Sequence, residues 1–203
     1  MSIAARKERE KEQMRQLILD AAREIFLEKG YHQTSIRNIA DKIEYSPGTI
    51  YLYFKEKDEI FFALHNESFG KLFSLVLPLA AVQDPFERLK AMGRIYLRFA
   101  FENKDLYDLM FIMNAPMNVI EESCEWQNGQ RVMDILLHTL QECQQQGRFA
   151  GMDLNALGYA VWGAVHGMAA IYCRNRIGVI CKHNHEELLE ETYTTFVQML
   201  EKN

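Results

Sequence analysis

Strand periodicity is missing from this chain. Nowhere in its 203 residues do apolar and polar side chains alternate over the length of a strand. A sandwich, a barrel or an α/β sheet is thereby excluded, and an all-α fold of about nine helices is expected. Proline is scarce, with four residues, and no long Pro/Gly/Ser linker occurs, so the chain should be compact. Four cysteines at irregular spacing form no CxxC pair, which points to reduced thiols in a cytoplasmic protein and not to a disulfide scaffold. No apolar segment follows the charged N-terminus, and no signal peptide is expected. HExxH, GxSxG and Walker-loop patterns are absent, as is any phosphate-cradling glycine loop. Acidic pairs such as Glu121-Glu122 and Glu186-Glu187 read as solvated helix faces, so no enzyme activity and no cofactor are expected. Cys181, His183 and His185 put three borderline ligands within five residues. With no fourth ligand near them, they read as a solvated loop and no metal site is assigned.

What is present is unevenly distributed. The net charge is −5, but residues 1–57 carry 11 Lys+Arg against 9 Asp+Glu, while the remainder carries 12 against 19. An acidic body with a mildly basic head suits a protein that turns one face to phosphate. Residues 1–13 are charged and lack apolar periodicity. They read either as a solvated helix extension or as a basic arm on DNA through Arg6, Lys7, Arg9 and Lys11, with Glu8, Glu10 and Glu12 weakening the second reading. Met14, Leu17, Ile18, Ala21, Ala22, Ile25 and Phe26 form one helical face, which Gly30 ends.

The stretch from Thr34 to Lys57, TSIRNIADKIEYSPGTIYLYFKEK, carries the strongest signal. Ile36, Ile39, Ala40 and Ile43 recur at helical spacing, with Thr34 or Ser35 as cap. Ser46-Pro47 starts a second short helix, the serine as cap and the proline at the first position. Ile50 and Phe54 give that helix one apolar stripe and leave Gly48, Thr49, Tyr51 and Tyr53 on its outer faces. This is a helix-turn-helix whose second helix fits a DNA major groove. Tyr51 and Lys57, with Lys55 beside them, are placed for phosphate oxygens. Thr34, Ser35 and Ser46 offer hydroxyls and helix-start amides, Arg37, Thr49 and Tyr53 could reach base edges, and Gly48 permits close backbone approach.

Gly30-Tyr31, Thr34-Ser35, Ile39-Ala40, Ser46, Gly48-Thr49-Ile50-Tyr51, Tyr53-Phe54 and Lys57, at these offsets, resemble the DNA-binding core of the TetR-type transcriptional regulators. The resemblance covers about the first third of the chain and implies operator contacts at the matched positions. Glu44 departs from the pattern, standing where the family usually has glycine. It must hold a left-handed conformation, or the turn must differ. The resemblance divides the chain into a head, 1–57, and a ligand-binding and dimerisation body, 58–203, joined by a helix over 57–77.

The body reads as a series of helices. Asp84-Pro85 starts one that runs to about Glu102. A short one runs from Asp105 to about Met113, and another from about Val119 to Gln146, with a possible break at Asn128-Gly129. Residues 153–173 are apolar nearly all round, which favours a buried helix over a membrane span. His185 to Lys202 forms the last helix. A dimer interface is expected from the final pair, through Leu157, Val161, Val165, Met168, Leu189, Tyr193, Phe196 and Leu200, with Gly163 and Gly167 allowing close approach. Candidates for a ligand pocket are Met92, Tyr96, Phe99, Met110, Phe111, Met113, Trp126, Met133, Trp162 and His166, a methionine-rich set suited to an irregular apolar cavity. Trp162, His166 and Gly167 also resemble the C-terminal domain of one branch of the same family.

The expected partners are therefore duplex operator DNA, an apolar or amphipathic small molecule and a second copy of the chain, with no membrane. The function expected is that of a ligand-responsive repressor. The alternatives are a constitutive DNA-binding protein, or a helical carrier or enzyme that keeps the motif as scaffold.

Overall fold

Small polar side chains begin the helices by accepting hydrogen bonds from backbone amides that have no partner inside the helix. Ser2 accepts from the Ala5 amide at 3.2 Å, Ser35 from Asn38 at 3.2 Å and Ser46 from Thr49 at 3.2 Å. Asp84 takes the amides of Phe86 and Glu87, and Asp153 takes that of Ala156. The computed structural model describes residues 2–114, 127–180 and 184–202. Nine α-helices and no strand occur among these residues. They are α1 (Ile3–Lys29), α2 (Ile36–Lys42), α3 (Pro47–Tyr51), α4 (Lys57–Val76), α5 (Pro85–Glu102), α6 (Lys104–Phe111), α7 (Gln127–Gln145), α8 (Leu154–Cys173) and α9 (His185–Glu201).

Most boundaries fall within two residues of the expectation. Pro78 falls in a 3-10 turn, Leu77–Ala81, that follows α4. Asn128-Gly129 does not break α7, which runs through both residues. The part of that helix expected over 119–126 lies outside the described residues. Gly147, at φ +90°, follows α7 with the left-handed backbone that glycine adopts at little cost.

The chain folds as two units. Among the described residues, the head holds those up to Ser68 and 108–114, and the body holds Phe69–Tyr107 and the residues from Gln127. In the head, α1 lays Ile18, Ala22, Ile25 and Phe26 against Ile39 and Ala40 of α2, Ile50 of α3, Phe54, and Ile60, Phe61 and Leu64 of α4. The Phe26 and Phe61 rings meet edge to face at 5.3 Å, a favoured aromatic geometry. In the body, Phe86 and Leu89 of α5 pack with Leu140 and Cys143 of α7, with Phe149, and with Leu157 and Val161 of α8.

His65 in α4 is fully buried. Burial pushes its imidazole down to about 4, partly offset by a hydrogen bond with the Met110 backbone. A base kept neutral in the fold binds fewer protons than it does in the unfolded chain. Its contribution to stability is complete above the ordinary histidine value and is lost as pH falls from there toward 4. Between pH 7 and pH 5 the loss should reach about 2 kcal/mol, seen as a lower urea midpoint. His65→Leu should flatten that decline, and an equally steep decline in the variant would assign it to other groups.

Candidate nucleic-acid interface

The turn between α2 and α3 is built on the residue that departs from the family pattern. Glu44 stands at φ +60°, in the left-handed region. The Tyr45 amide donates to the Ala40 carbonyl at 3.0 Å and the Glu44 amide to Asp41 at 3.3 Å. This double bond pattern is the Schellman close of a helix, with its left-handed position filled by glutamate. The turn geometry is therefore retained, and Glu44 carries the strain.

The burial of α3 decides which of its residues face outward. Ile50 has no exposed surface and Phe54 almost none, so Ser46, Gly48 and Tyr51 are presented to solvent, with Tyr51 55% exposed. Thr49 is half-buried, and its hydroxyl lies 3.1 Å from that of Ser46. Tyr53 is half-buried against the head core. Arg37 on α2 and Lys55 after α3 are exposed.

Two expectations, those for Thr34 and Lys57, need correction. Thr34 is 1% exposed, and its hydroxyl donates to the Gly30 carbonyl at 2.9 Å. It closes the loop after α1 and offers nothing outward. Ser35 alone caps α2, in a capping box completed by the Asn38 side chain, which accepts from the Ser35 amide at 2.7 Å. Lys57 is half-buried: its Nζ donates to the Tyr31 carbonyl at 3.1 Å and stands 3.7 Å from the Tyr31 ring centroid. It ties the start of α4 to the loop after α1. The Tyr31 hydroxyl donates to Asp58, and burial together with that bond pushes its pKa up to about 12. Sequence periodicity could not show this tie, because its partners lie 26 and 27 residues apart.

Of the expected pocket residues, Met110, Phe111 and Met113 belong to the head, Met110 buried and the other two half-buried. Trp126 lies outside the described residues. Met92, Tyr96, Phe99, Met133, Trp162 and His166 belong to the body. There, His166 Nδ1 receives or shares hydrogen bonds with the hydroxyls of Tyr96, at 2.9 Å, and Tyr107, at 3.1 Å, with the Trp162 ring centroid 5.5 Å from its own. Burial lowers the His166 pKa and raises that of Tyr96. Tyr107, fully buried, was not among the expected residues. It sits beside the Leu106, Leu109 and Met110 stripe of α6, and nothing in the spacing marks it.

Of the expected interface residues, five have their side chains within the body and Met168 and Phe196 line a surface groove. Leu157, Val161, Val165, Leu189 and Tyr193 are buried within one chain. Tyr193 donates to the Lys90 carbonyl at 2.6 Å, and a Cβ on Gly93 would stand 2.8 Å from its Cε2. Phe196 and Leu200 are half-buried against the body core. The open face of α8 carries Tyr159, 73% exposed, with Ala160, Gly163 and Ile171. Beside it lies a groove of about 360 Å³ lined by Met168, Leu188, Thr192, Phe196 and Met199. A Cβ built on Gly163 or Gly167 would meet no atom within 4 Å. Cys181 and His183 lie outside the described residues, and His185 is half-buried at the start of α9.

Residues 18–64 match the bacterial regulatory proteins, tetR family, and residues 89–196 match the tetracyclin repressor-like C-terminal domain. The chain belongs to the tetR family. That family is one of bacterial regulatory proteins. The fatty acid metabolism regulator protein of Bacillus subtilis (strain 168) is 46% identical over 54 residues, 27% of this chain and 28% of that protein. The present chain thus spans little over a quarter of that curated relative. The probable acrEF/envCD operon repressor of Escherichia coli (strain K12) is 25% identical over 87% of this chain and 83% of its own. The crystal structure of the transcriptional regulator FadR from Bacillus subtilis, in complex with stearoyl-CoA, has the same fold. Its TM-score is 0.69 at 22% identity, over 90% of this chain and 97% of that one.

If Glu44 carries the strain of the turn, Glu44→Gly should stabilise the chain by about 1 kcal/mol in urea unfolding, since glycine adopts this conformation freely. A destabilised variant would mean that the glutamate side chain has a compensating role.

Proposed function

We propose that the chain is a homodimeric transcriptional repressor of the cytoplasm. Its two heads read the half-sites of a near-palindromic operator, and an apolar or amphipathic small molecule releases it. The observation that carries the DNA half is the face of α3, which holds Gly48 and Tyr51 outward, with half-buried Thr49 at its edge, because Ile50 and Phe54 are sealed beneath. In a major groove, Thr49 and Arg37 would meet base edges, with Tyr53 at the margin. Tyr51, Lys55, Ser46 and the Ser35 hydroxyl would meet phosphates, and Gly48 would let the backbone come close. Lys57 would add its charge while holding α4 in place.

The second copy would cover the open face of α8, where Tyr159 and Ile171 leave apolar surface in water and Gly163 and Gly167 leave room for a facing helix. Half-sites about one helical turn apart, ~34–36 Å, would then suit the two-fold pair.

The effector would enter the body near Tyr96, Trp162 and His166, where polar groups stand among aromatic rings. A long-chain acyl-CoA is the first candidate. A relative of this fold was solved with stearoyl-CoA, and another carries the name of a fatty acid metabolism regulator. Release would be a population shift, which needs the ligand to favour the form whose heads are wrongly spaced. The chain passes from head to body inside α4, unbroken from Lys57 to Val76, and that helix would carry the displacement.

A duplex selected in vitro from random sequence tests both halves by fluorescence anisotropy. Tyr51→Ala and Arg37→Ala should each weaken binding about ten- to a hundredfold. Stearoyl-CoA should release the wild-type protein from its duplex. Tight specific binding that no acyl-CoA or other apolar molecule relieves would leave a constitutive DNA-binding protein.

A further inference from the structure

Helix α3 and the turn after it offer a base pair no group that forms two hydrogen bonds at once. From Ser46 to Phe54 the sequence is SPGTIYLYF, with no amide, carboxylate, ammonium or guanidinium side chain. Those are the groups that tell bases apart by paired hydrogen bonds in a major groove. The hydroxyls of Ser46 and Thr49 stand 3.1 Å apart and engage each other, and Ser46 Oγ also accepts from the Thr49 amide. On α2 the Asn38 side chain is committed too. It accepts from the Ser35 amide at 2.7 Å and donates to the Gln33 carbonyl at 2.8 Å. Arg37, exposed on α2, keeps the ability to pair with a guanine.

What α3 does present is a leucine. Leu52 is 79% exposed, and the head core does not include it. Its backbone stays helical, at φ −72° and ψ −19°, and the Phe54 amide still donates to the Ile50 carbonyl at 3.0 Å. The helical wheel therefore continues past Leu52. At about 100° per residue, Leu52 lies about 160° round the axis from both Ile50 and Phe54. Those two side chains are the ones sealed in the core, so Leu52 stands at the centre of the outward face. Gly48 lies one turn before it and brings no side chain to screen it. Tyr51 and Thr49 flank it on either side.

A single bare leucine is ordinary on a protein surface. At the crown of a helix that fits a major groove it has a definite counterpart. The apolar group that a base edge presents there is the thymine 5-methyl.

We infer that Leu52 is a specificity-determining residue, which selects a thymine in each half-site by closing over its 5-methyl group. This deepens the reading of the head as a duplex binder and rests on it. Discrimination comes from water driven off two apolar groups, and from the unpaired amino group that a cytosine would bring beside the leucine. Thymine and guanine would then be specified from different helices, by Leu52 on one and Arg37 on the other.

The test uses the full chain and its selected duplex, with affinity read by anisotropy. Each thymine is replaced in turn by deoxyuridine, which removes the methyl group and leaves the hydrogen-bonding edge intact. At one position the substitution should weaken wild-type binding about fourfold per half-site, the effect of leaving one methyl group in water. Leu52→Ala should bind the thymine and uracil duplexes equally at that position and keep the wild-type ratio at the others. Leu52→Gln, which retains side-chain length, should lose the same preference. Wild type should also bind 5-methylcytosine there more tightly than cytosine, and Leu52→Ala should not. A wild type indifferent to uracil at every position overturns the inference while the duplex is still bound. So does a Leu52 variant that keeps the preference for thymine. A wild-type chain that binds no duplex overturns the DNA reading and this inference together.

Discussion

The burial of Ile50 and Phe54 beneath α1 is the constraint on which the head depends. Helix α3 has five residues, too few to hold its shape alone, because a short helix cannot offset the cost of nucleation. It exists because Ser46 caps it, Pro47 presets its first turn, and the apolar pair is drawn into the cluster formed by Ile18, Ala22, Phe26 and Phe61. The same burial decides what is left outside. Once Ile50 points inward, the helical period leaves Tyr51 and Gly48 outward, whatever those residues are for. Presentation of a reading surface is thus a by-product of core formation.

This explains which parts of the chain were legible before the structure was known. Caps and prolines are local, so Ser46-Pro47 and Asp84-Pro85 marked their helices correctly. The departure at Glu44 was legible as well, through the family resemblance that puts glycine there, and of the two outcomes it left open the structure has the left-handed one. Interactions across long sequence separation were not. Thr34 sits at a helix start and carries a capping hydroxyl, yet it turns inward to the Gly30 carbonyl. Lys57 carries the charge expected at a phosphate, yet it is shared with Tyr31. His65 stands between Leu64 and Asn66 with no marker of its burial.

The last pair of helices shows a different limit. Helix α8 is apolar nearly all round, so its sequence carries almost no information about which side faces the core. Of the interface residues expected on it, Leu157, Val161 and Val165 are inner ones, and Met168 lines the surface groove. Small residues gave the better signal. Gly158 faces Leu137 of α7 so closely that a Cβ would stand 2.6 Å from a methyl carbon, whereas Gly163 and Gly167 face open space. A glycine that lets an element inside the chain approach and a glycine that keeps a surface low look identical in sequence, and only their phase relative to Val161 and Val165 separates them.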